Sequence, residues 1–175
     1  MQVMDIKQKA QLVKLLILDV DGVMTDGKIV YTDSGEELKF FDSRDGHGIK
    51  MLMRTGVAVA IITGRISKAV EHRAAHLGID MVYQKALNKI EAYEEIAALK
   101  SLADKEICAM GDDLPDIPVL LRAGLAVAVP GAVDEVRLSA HYTTRRAGGD
   151  GAVREMCDLI MKAQGSWQTV TSRYY

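Results

Sequence analysis

The chain has 175 residues, of which 49% are hydrophobic and 26% charged, with a formal net charge of -2. That length and mix fit one globular domain with a full core. The missing basic excess excludes a general nucleic-acid binder, and no apolar run reaches membrane-spanning length, so neither nucleic acid nor a membrane is an expected partner.

Met1–Lys14 is a polar lead-in with room for a short helix. No basic segment followed by an apolar one opens the chain, so the cytoplasm is the expected compartment. Leu15-Leu16-Ile17-Leu18 then runs into Asp19-Val20-Asp21-Gly22. A continuous apolar run ended by Asp and Gly reads as a strand buried on both faces. Gly27–Phe41 reads as a β-hairpin, with Ile29–Tyr31 and Leu38–Phe41 flanking an Asp-Ser-Gly turn. Asp45-Gly46-His47-Gly48 leads into a helix through Ile49, Leu52 and Met53, stopped at Gly56. Val57–Ile62 is a second buried strand, and Ser67 is placed to cap a helix ending at Leu77 before Gly78. Met81–Tyr83 is a short strand. Asn88 and Glu91 have capping-box spacing for a helix from Lys89 to about Leu102. Strands at Ile107–Met110 and Leu125–Val129, short helices, an edge strand at Tyr142–Thr144 and a helix at Ala152–Gln164 complete the series. A tail, Gly165–Tyr175, remains. Alternating strands and helices predict an α/β fold: a doubly wound, Rossmann-like parallel sheet with a β-hairpin flap after the first strand, in one domain spanning 1–175.

Chemistry-bearing residues fall at the predicted carboxyl ends of strands, where open α/β sheets place their sites. Asp19 and Asp21 suit a carboxylate nucleophile for phosphorus and a neighbouring general acid/base. Two carboxylates that close call for a divalent cation. Thr63-Gly64-Arg65 offers a hydroxyl and free amides at a strand-to-helix turn, which suits phosphate oxygens and equally an ordinary loop. Lys89 opposes the dipole of the helix it begins, so it either meets a phosphoryl group or sits in solvent. Asp112, Asp113 and Asp116 form either a hard-cation site or a solvated acidic turn.

The same residues in the same order resemble the haloacid dehalogenase-like superfamily of phosphatases. Asp19 and Asp21 match its first motif, Thr63 its second, Lys89 its third and Gly111-Asp112-Asp113 with Asp116 its fourth. The resemblance implies Asp19 as nucleophile, Asp21 as acid/base, and Thr63 and Lys89 as phosphoryl ligands. It further implies Mg²⁺ held by Asp19, the Asp21 carbonyl and Asp112, with Asp116 and Asp113 behind them. Asp19–Gly27, Gly35-Glu36-Glu37, Arg44-Asp45-Gly46, Ile61–Arg65, Arg73, Leu77-Gly78-Ile79 and the late Ala147–Glu155 stretch look like the family of 3-deoxy-D-manno-octulosonate 8-phosphate (KDO 8-phosphate) phosphatases. A sugar-acid phosphate is therefore the expected substrate, with nine-carbon sugar-acid phosphates as the alternative. Lipopolysaccharide precursor synthesis is the implied setting.

Arg73 is placed either to pair with a sugar carboxylate or in a surface ion pair. His72 and His76 have metal-capable spacing but no third ligand in sight. Neither gap between motifs has room for a cap domain, and the hairpin is too apolar to stand in water, so an oligomer is expected to close the site. The resemblance makes it a homotetramer. The tail 165–175 is either a flap over an adjacent site or a disordered end. Two other classes of function fit less well. A receiver domain would carry its phosphorylated Asp after the third strand, where Tyr83-Gln84-Lys85 stands, and a catalytically dead module would have lost a motif residue.

Overall fold

The computed structural model describes residues 5–175. Residues 1–4 of the expected lead-in lie outside that range. The lead-in forms α1 (Ile6–Gln11), started by a capping box in which Asp5 accepts from the Gln8 amide and Gln8 accepts from the Asp5 amide. The central strand β1 (Leu15–Leu18) follows, buried on both faces. Next come β2 (Val30–Tyr31), β3 (Glu37–Leu38) and α2 (Ser43–Arg54). Alternation resumes with β4 (Ala58–Ile62), α3 (Lys68–Leu77), β5 (Met81–Tyr83), α4 (Lys89–Leu99) and β6 (Ile107–Gly111). The chain closes with α5 (Ile117–Arg122), β7 (Leu125–Ala128), α6 (Asp134–Ser139), β8 (Tyr142–Thr143), α7 (Ala152–Ala163) and α8 (Trp167–Thr171).

Six strands form one parallel sheet in the order β5-β4-β1-β6-β7-β8. β1 sits between β4 and β6, so the loops after these three strands open on one crevice. The core is the apolar run of these strands sealed by helices, with Leu15, Leu16, Leu18, Ile61 and Ile107 fully buried. Cys108 and Cys157 are free buried thiols. β2 and β3 pair antiparallel as a separate two-stranded hairpin, two residues per strand, shorter than the sequence pattern suggests.

Several local expectations give way. Helix α2 begins at Ser43, so Gly46 and Gly48 lie inside it. Asp42 starts it by accepting from the amides of Arg44 and Asp45 at 2.5 and 3.2 Å. The glycines pay for their low helix propensity with close packing. A Cβ on Gly46 would stand 2.4 Å from Arg73 Nη2, and one on Gly48 2.7 Å from Arg154 Cδ. Ser67 does not cap α3: its hydroxyl is buried without a hydrogen-bond partner, while its amide donates to Gln84 Oε1 at 2.6 Å. Asn88 does not cap α4 either, because its side-chain amide donates instead to Glu91 Oε1 at 2.7 Å. The tail forms α8 and a final 3₁₀ turn against its own chain. Trp167 and Val170 pack on the core, Lys162 lies 4.6 Å over the Trp167 ring, and Tyr174 hydroxyl meets His47 Nε2 on α2 at 2.8 Å.

Candidate active site

The strand β1 ends at Leu18, and Asp19 continues its line, donating its amide to the Met110 carbonyl of β6 at 3.2 Å. The chain then turns tightly. Met24 and Thr25 amides both return to the Val20 carbonyl, at 2.9 and 3.1 Å. Gly22 makes the turn with φ +97°, and a Cβ there would stand 1.9 Å from Asp112 Oδ2. Only glycine lets the first aspartate loop approach the fourth so closely.

Asp19 is buried, and beneath it lies Lys89, also buried. Lys89 Nζ donates to Asp19 Oδ1 at 2.5 Å and to Asp116 Oδ1 at 2.6 Å. This explains a lysine in the first turn of a helix: two carboxylates outweigh the dipole, and solvent plays no part. Burial opposes the Lys89 charge, but Asp19 and Asp116 prevail and hold its pKa above the usual value. Asp116 Oδ2 accepts from the amides of Asp112 and Asp113 at 3.0 and 3.2 Å, so both its oxygens are engaged. Asp113 is exposed and starts the one-turn 3₁₀ helix Leu114–Asp116 by accepting from the Leu114 amide, which fixes Asp116 in place.

Oxygens of Asp19, Asp112 and Asp116 lie within 4.8 Å of one another. Burial first, then Asp116, lifts Asp19 to about 7, and burial with Asp116 and Asp113 lifts Asp112 to about 7. Burial and mutual repulsion outweigh the Lys89 charge here, and a dication among these carboxylates would oppose the shift. The donor set, all oxygen with Asp116 already committed, suits a hard cation held by Asp19 and Asp112.

Thr63 is buried at the end of β4, its amide bonded to the Tyr83 carbonyl at 2.9 Å, and Gly64 borders open space. Arg65 reaches the hairpin: Nη2 donates to Glu37 Oε2 at 2.7 Å and to Tyr31 hydroxyl at 3.1 Å, with Nε 3.8 Å from Asp21 Oδ2. Arg73 is not brought to this cluster. It donates to the Asp42 carbonyl at 2.9 Å and stacks 5.5 Å from the Phe41 ring, bracing the start of α2 against α3. Its recorded partners are thus a main-chain carbonyl and an aromatic ring rather than a carboxylate in a surface ion pair. His72 and His76 are exposed and belong to no group of three metal-capable ligands among the described residues.

The sequence reading missed Lys39. Its side chain is 1% exposed, ion-paired with Asp21 Oδ1 and 3.2 Å from Glu37 Oε1. Glu37 and Lys39 are two apart and share a face of the extended chain, with Leu38 and Phe40 on the other. The alternation was visible in the sequence, but not which face turns toward Asp21.

A family model for haloacid dehalogenase-like hydrolases matches residues 76–156. The 3-deoxy-D-manno-octulosonate 8-phosphate phosphatase of Yersinia pestis is 48% identical over 167 residues, 95% of this chain and 89% of that protein. The Escherichia coli K12 enzyme of the same name is 48% identical over 161 residues, 92% of this chain and 86% of that protein. The Moraxella catarrhalis phosphatase, solved with magnesium ion, phosphate ion and KDO, superposes with a TM-score of 0.94 at 38% identity, covering 97% of each chain. The cobalt-bound Haemophilus influenzae enzyme gives 0.89 at 38% identity, covering 93% of this chain and 95% of that one. With near-half identity along almost the whole length and the same sheet beneath it, the chain belongs to the haloacid dehalogenase-like hydrolases, within the family of 3-deoxy-D-manno-octulosonate 8-phosphate phosphatases.

Proposed function

We propose that this protein is a Mg²⁺-dependent phosphatase that hydrolyses KDO 8-phosphate to KDO and phosphate. The observation that carries the reading is the buried Lys89 bridging Asp19 and Asp116 beside Asp112, at the ends of adjacent parallel strands. Such a cluster is expensive to bury and persists where charge is needed for chemistry.

Asp19 attacks phosphorus, forming an aspartyl-phosphate while the bond to the sugar oxygen breaks. Asp21 gives its proton to that oxygen. Asp21 then takes a proton from water as the water oxygen attacks phosphorus and frees Asp19. Thr63, the amides around Gly64, and Lys89 hold the phosphoryl oxygens in place, and Arg65 sits at the rim toward the sugar. Asp19, the Asp21 carbonyl and Asp112 would hold Mg²⁺, which would supply positive charge to offset that on the phosphoryl oxygens.

We place the enzyme in the cytoplasm. Among the described residues no helix is long and apolar enough to cross a membrane. Between β1 and α2 stands only the hairpin, and between β4 and α4 only α3 and β5. With so little to cover a sugar, a homotetramer in which a neighbouring subunit walls the site completes the proposal. The exposed Leu38 and Phe40 of the hairpin, 43% and 69% accessible in the isolated chain, support it. Purified protein incubated with Mg²⁺ and a panel of eight- and nine-carbon sugar-acid phosphates should release phosphate fastest from KDO 8-phosphate. No release from any of them would overturn the reading. Light scattering at micromolar concentration should give four chains, and a fully active monomer would remove the subunit wall.

A further inference from the structure

We propose that Lys39 is a positioning residue for leaving-group protonation, so that the hairpin, through it, sets how well the enzyme handles a poor leaving group. The inference rests on Asp21 being the general acid.

Lys39 is carried by a hairpin of two residues per strand, which cannot by itself hold a buried ammonium. Yet its side chain is 1% exposed, and the carboxylates recorded against it are Asp21 and Glu37. Glu37 is in turn held by Arg65 at 2.7 Å, and Arg65 also by Tyr31 at 3.1 Å. The chain of contacts therefore runs from the loop after β4, through the hairpin, to one oxygen of Asp21. The other oxygen, Oδ2, stands 3.8 Å from Arg65 Nε, outside hydrogen-bond range. Asp21 lies in the turn after β1, and Lys39 is the one hydrogen-bond partner of its carboxylate among the described residues. Lys39 holds Oδ1, and Oδ2 has no hydrogen-bond partner among the described residues.

In the step concerned, the bond from Asp19 to phosphorus forms, the bond from phosphorus to the leaving oxygen breaks, and the proton on Asp21 Oδ2 passes to that oxygen. An aliphatic sugar alcohol leaves poorly and needs that proton in the transition state, whereas 4-nitrophenolate leaves well without it. Misplacing Asp21 therefore costs the sugar phosphate far more than the aryl phosphate. A lysine that merely held the hairpin and its sugar contacts in place would lower the ratio whether or not residue 21 can donate a proton.

The test is kcat/KM of Lys39→Met on KDO 8-phosphate and on 4-nitrophenyl phosphate, which covers binding and the first chemical step and leaves out hydrolysis of the shared phosphoenzyme. We expect the ratio of the two to fall by roughly tenfold or more, as a small misplacement of a catalytic group does. The Mg²⁺ concentration for half-activation should stay close to wild type, and Lys39→Arg should recover part of the ratio. In an Asp21→Asn background, Lys39→Met should change the ratio no further. Equal losses on both substrates, or a further loss in the Asp21→Asn background, would overturn the proposal. Should Lys39→Met fail to fold, Glu37→Gln, which loosens Lys39 and also frees Arg65, must lower the ratio when residue 21 is Asp and leave it unchanged in the Asp21→Asn background, and any other pattern counts against the proposal. Asp21→Asn alone separates the two readings. If it shows no leaving-group selectivity, Asp21 is not the acid and the mechanism itself fails. If it does and Lys39→Met does not, only the role of Lys39 is lost.

Discussion

Lys89 and Lys39 are both buried ammonium groups bridging two carboxylates, 7% and 1% exposed, yet they rest on very different supports. Lys89 belongs to α4, an eleven-residue helix packed on the sheet through the buried Ala92, Tyr93 and Ile96. Its partners, Asp19 and Asp116, are anchored by β1, β6 and a capped turn. Lys39 belongs to a hairpin whose other face, Leu38 and Phe40, is bare in the isolated chain. In the proposed roles, the nucleophile Asp19 is thus held by the core and the proton donor Asp21 by an appendage. Phosphoryl capture and leaving-group protonation stand on parts of the molecule that can be disturbed separately.

The harshest way to break the core side is Asp19→Asn, which removes the attacking oxygen and a cation ligand together. Turnover should vanish on sugar and aryl phosphates alike, with the thermal transition retained. Chelation of the wild-type enzyme should do the same and added Mg²⁺ should reverse it, since the crowded carboxylates and a phosphate dianion repel one another without a cation. Normal turnover in chelator would show that the cluster works without the metal.

Lys89→Met comes next. It leaves Asp19 and Asp116 buried without their shared cation, and breaking such a pair costs about 3–5 kcal/mol. Urea unfolding should show a loss of that order, with activity falling on both substrate types. A loss on the sugar phosphate alone would blur the contrast with Lys39.

How far the sequence discloses this division follows from the same physics. Asp19, Asp21, Thr63 and Asp112 stood out because a buried strand announces itself by an apolar run and in a parallel sheet the loop after that run opens on the crevice, and Lys89 stood out as a cation at the start of a helix. What the sequence hid were choices between near-equal options. Glu37 and Lys39 alternate with Leu38 and Phe40, and either face of a two-stranded hairpin can turn inward. Ser67 and Asn88 are good capping types, but Gln84 takes the Ser67 amide and Glu91 takes the Asn88 side chain. Gly46 and Gly48 argue against a helix until Arg73 and Arg154 are seen lying against them. Arg73 looked free because its acceptor, a main-chain carbonyl at Asp42, has no signature in side-chain order.

A smaller effect sharpens the comparison from outside the site. Asp45 on α2 is buried, accepts from the Arg154 amide at 2.7 Å through one oxygen and leaves the other without a partner. Burial raises it from 3.8 to about 6. The native state therefore holds this proton where the unfolded chain has lost it, and the associated stability is present below about pH 4 and lost as pH rises through 6. Asp45→Asn keeps the acceptor and carries no charge. Its melting temperature relative to wild type should rise between pH 4 and pH 7, the whole effect amounting to about 3 kcal/mol at most. A difference that stays flat with pH would show that Asp45 is ionised at no cost, and that burial here behaves unlike burial around Asp19.

The most direct measurement of the central claim is to trap the covalent state. Enzyme turning over KDO 8-phosphate with Mg²⁺ is quenched, reduced with borohydride and digested, and the peptides are read by mass spectrometry for the homoserine that reduction of an aspartyl-phosphate leaves. The account predicts homoserine at position 19 in the wild-type chain and none in Asp19→Asn. Homoserine at Asp112 or another carboxylate, or none at position 19 under conditions of full turnover, would contradict it.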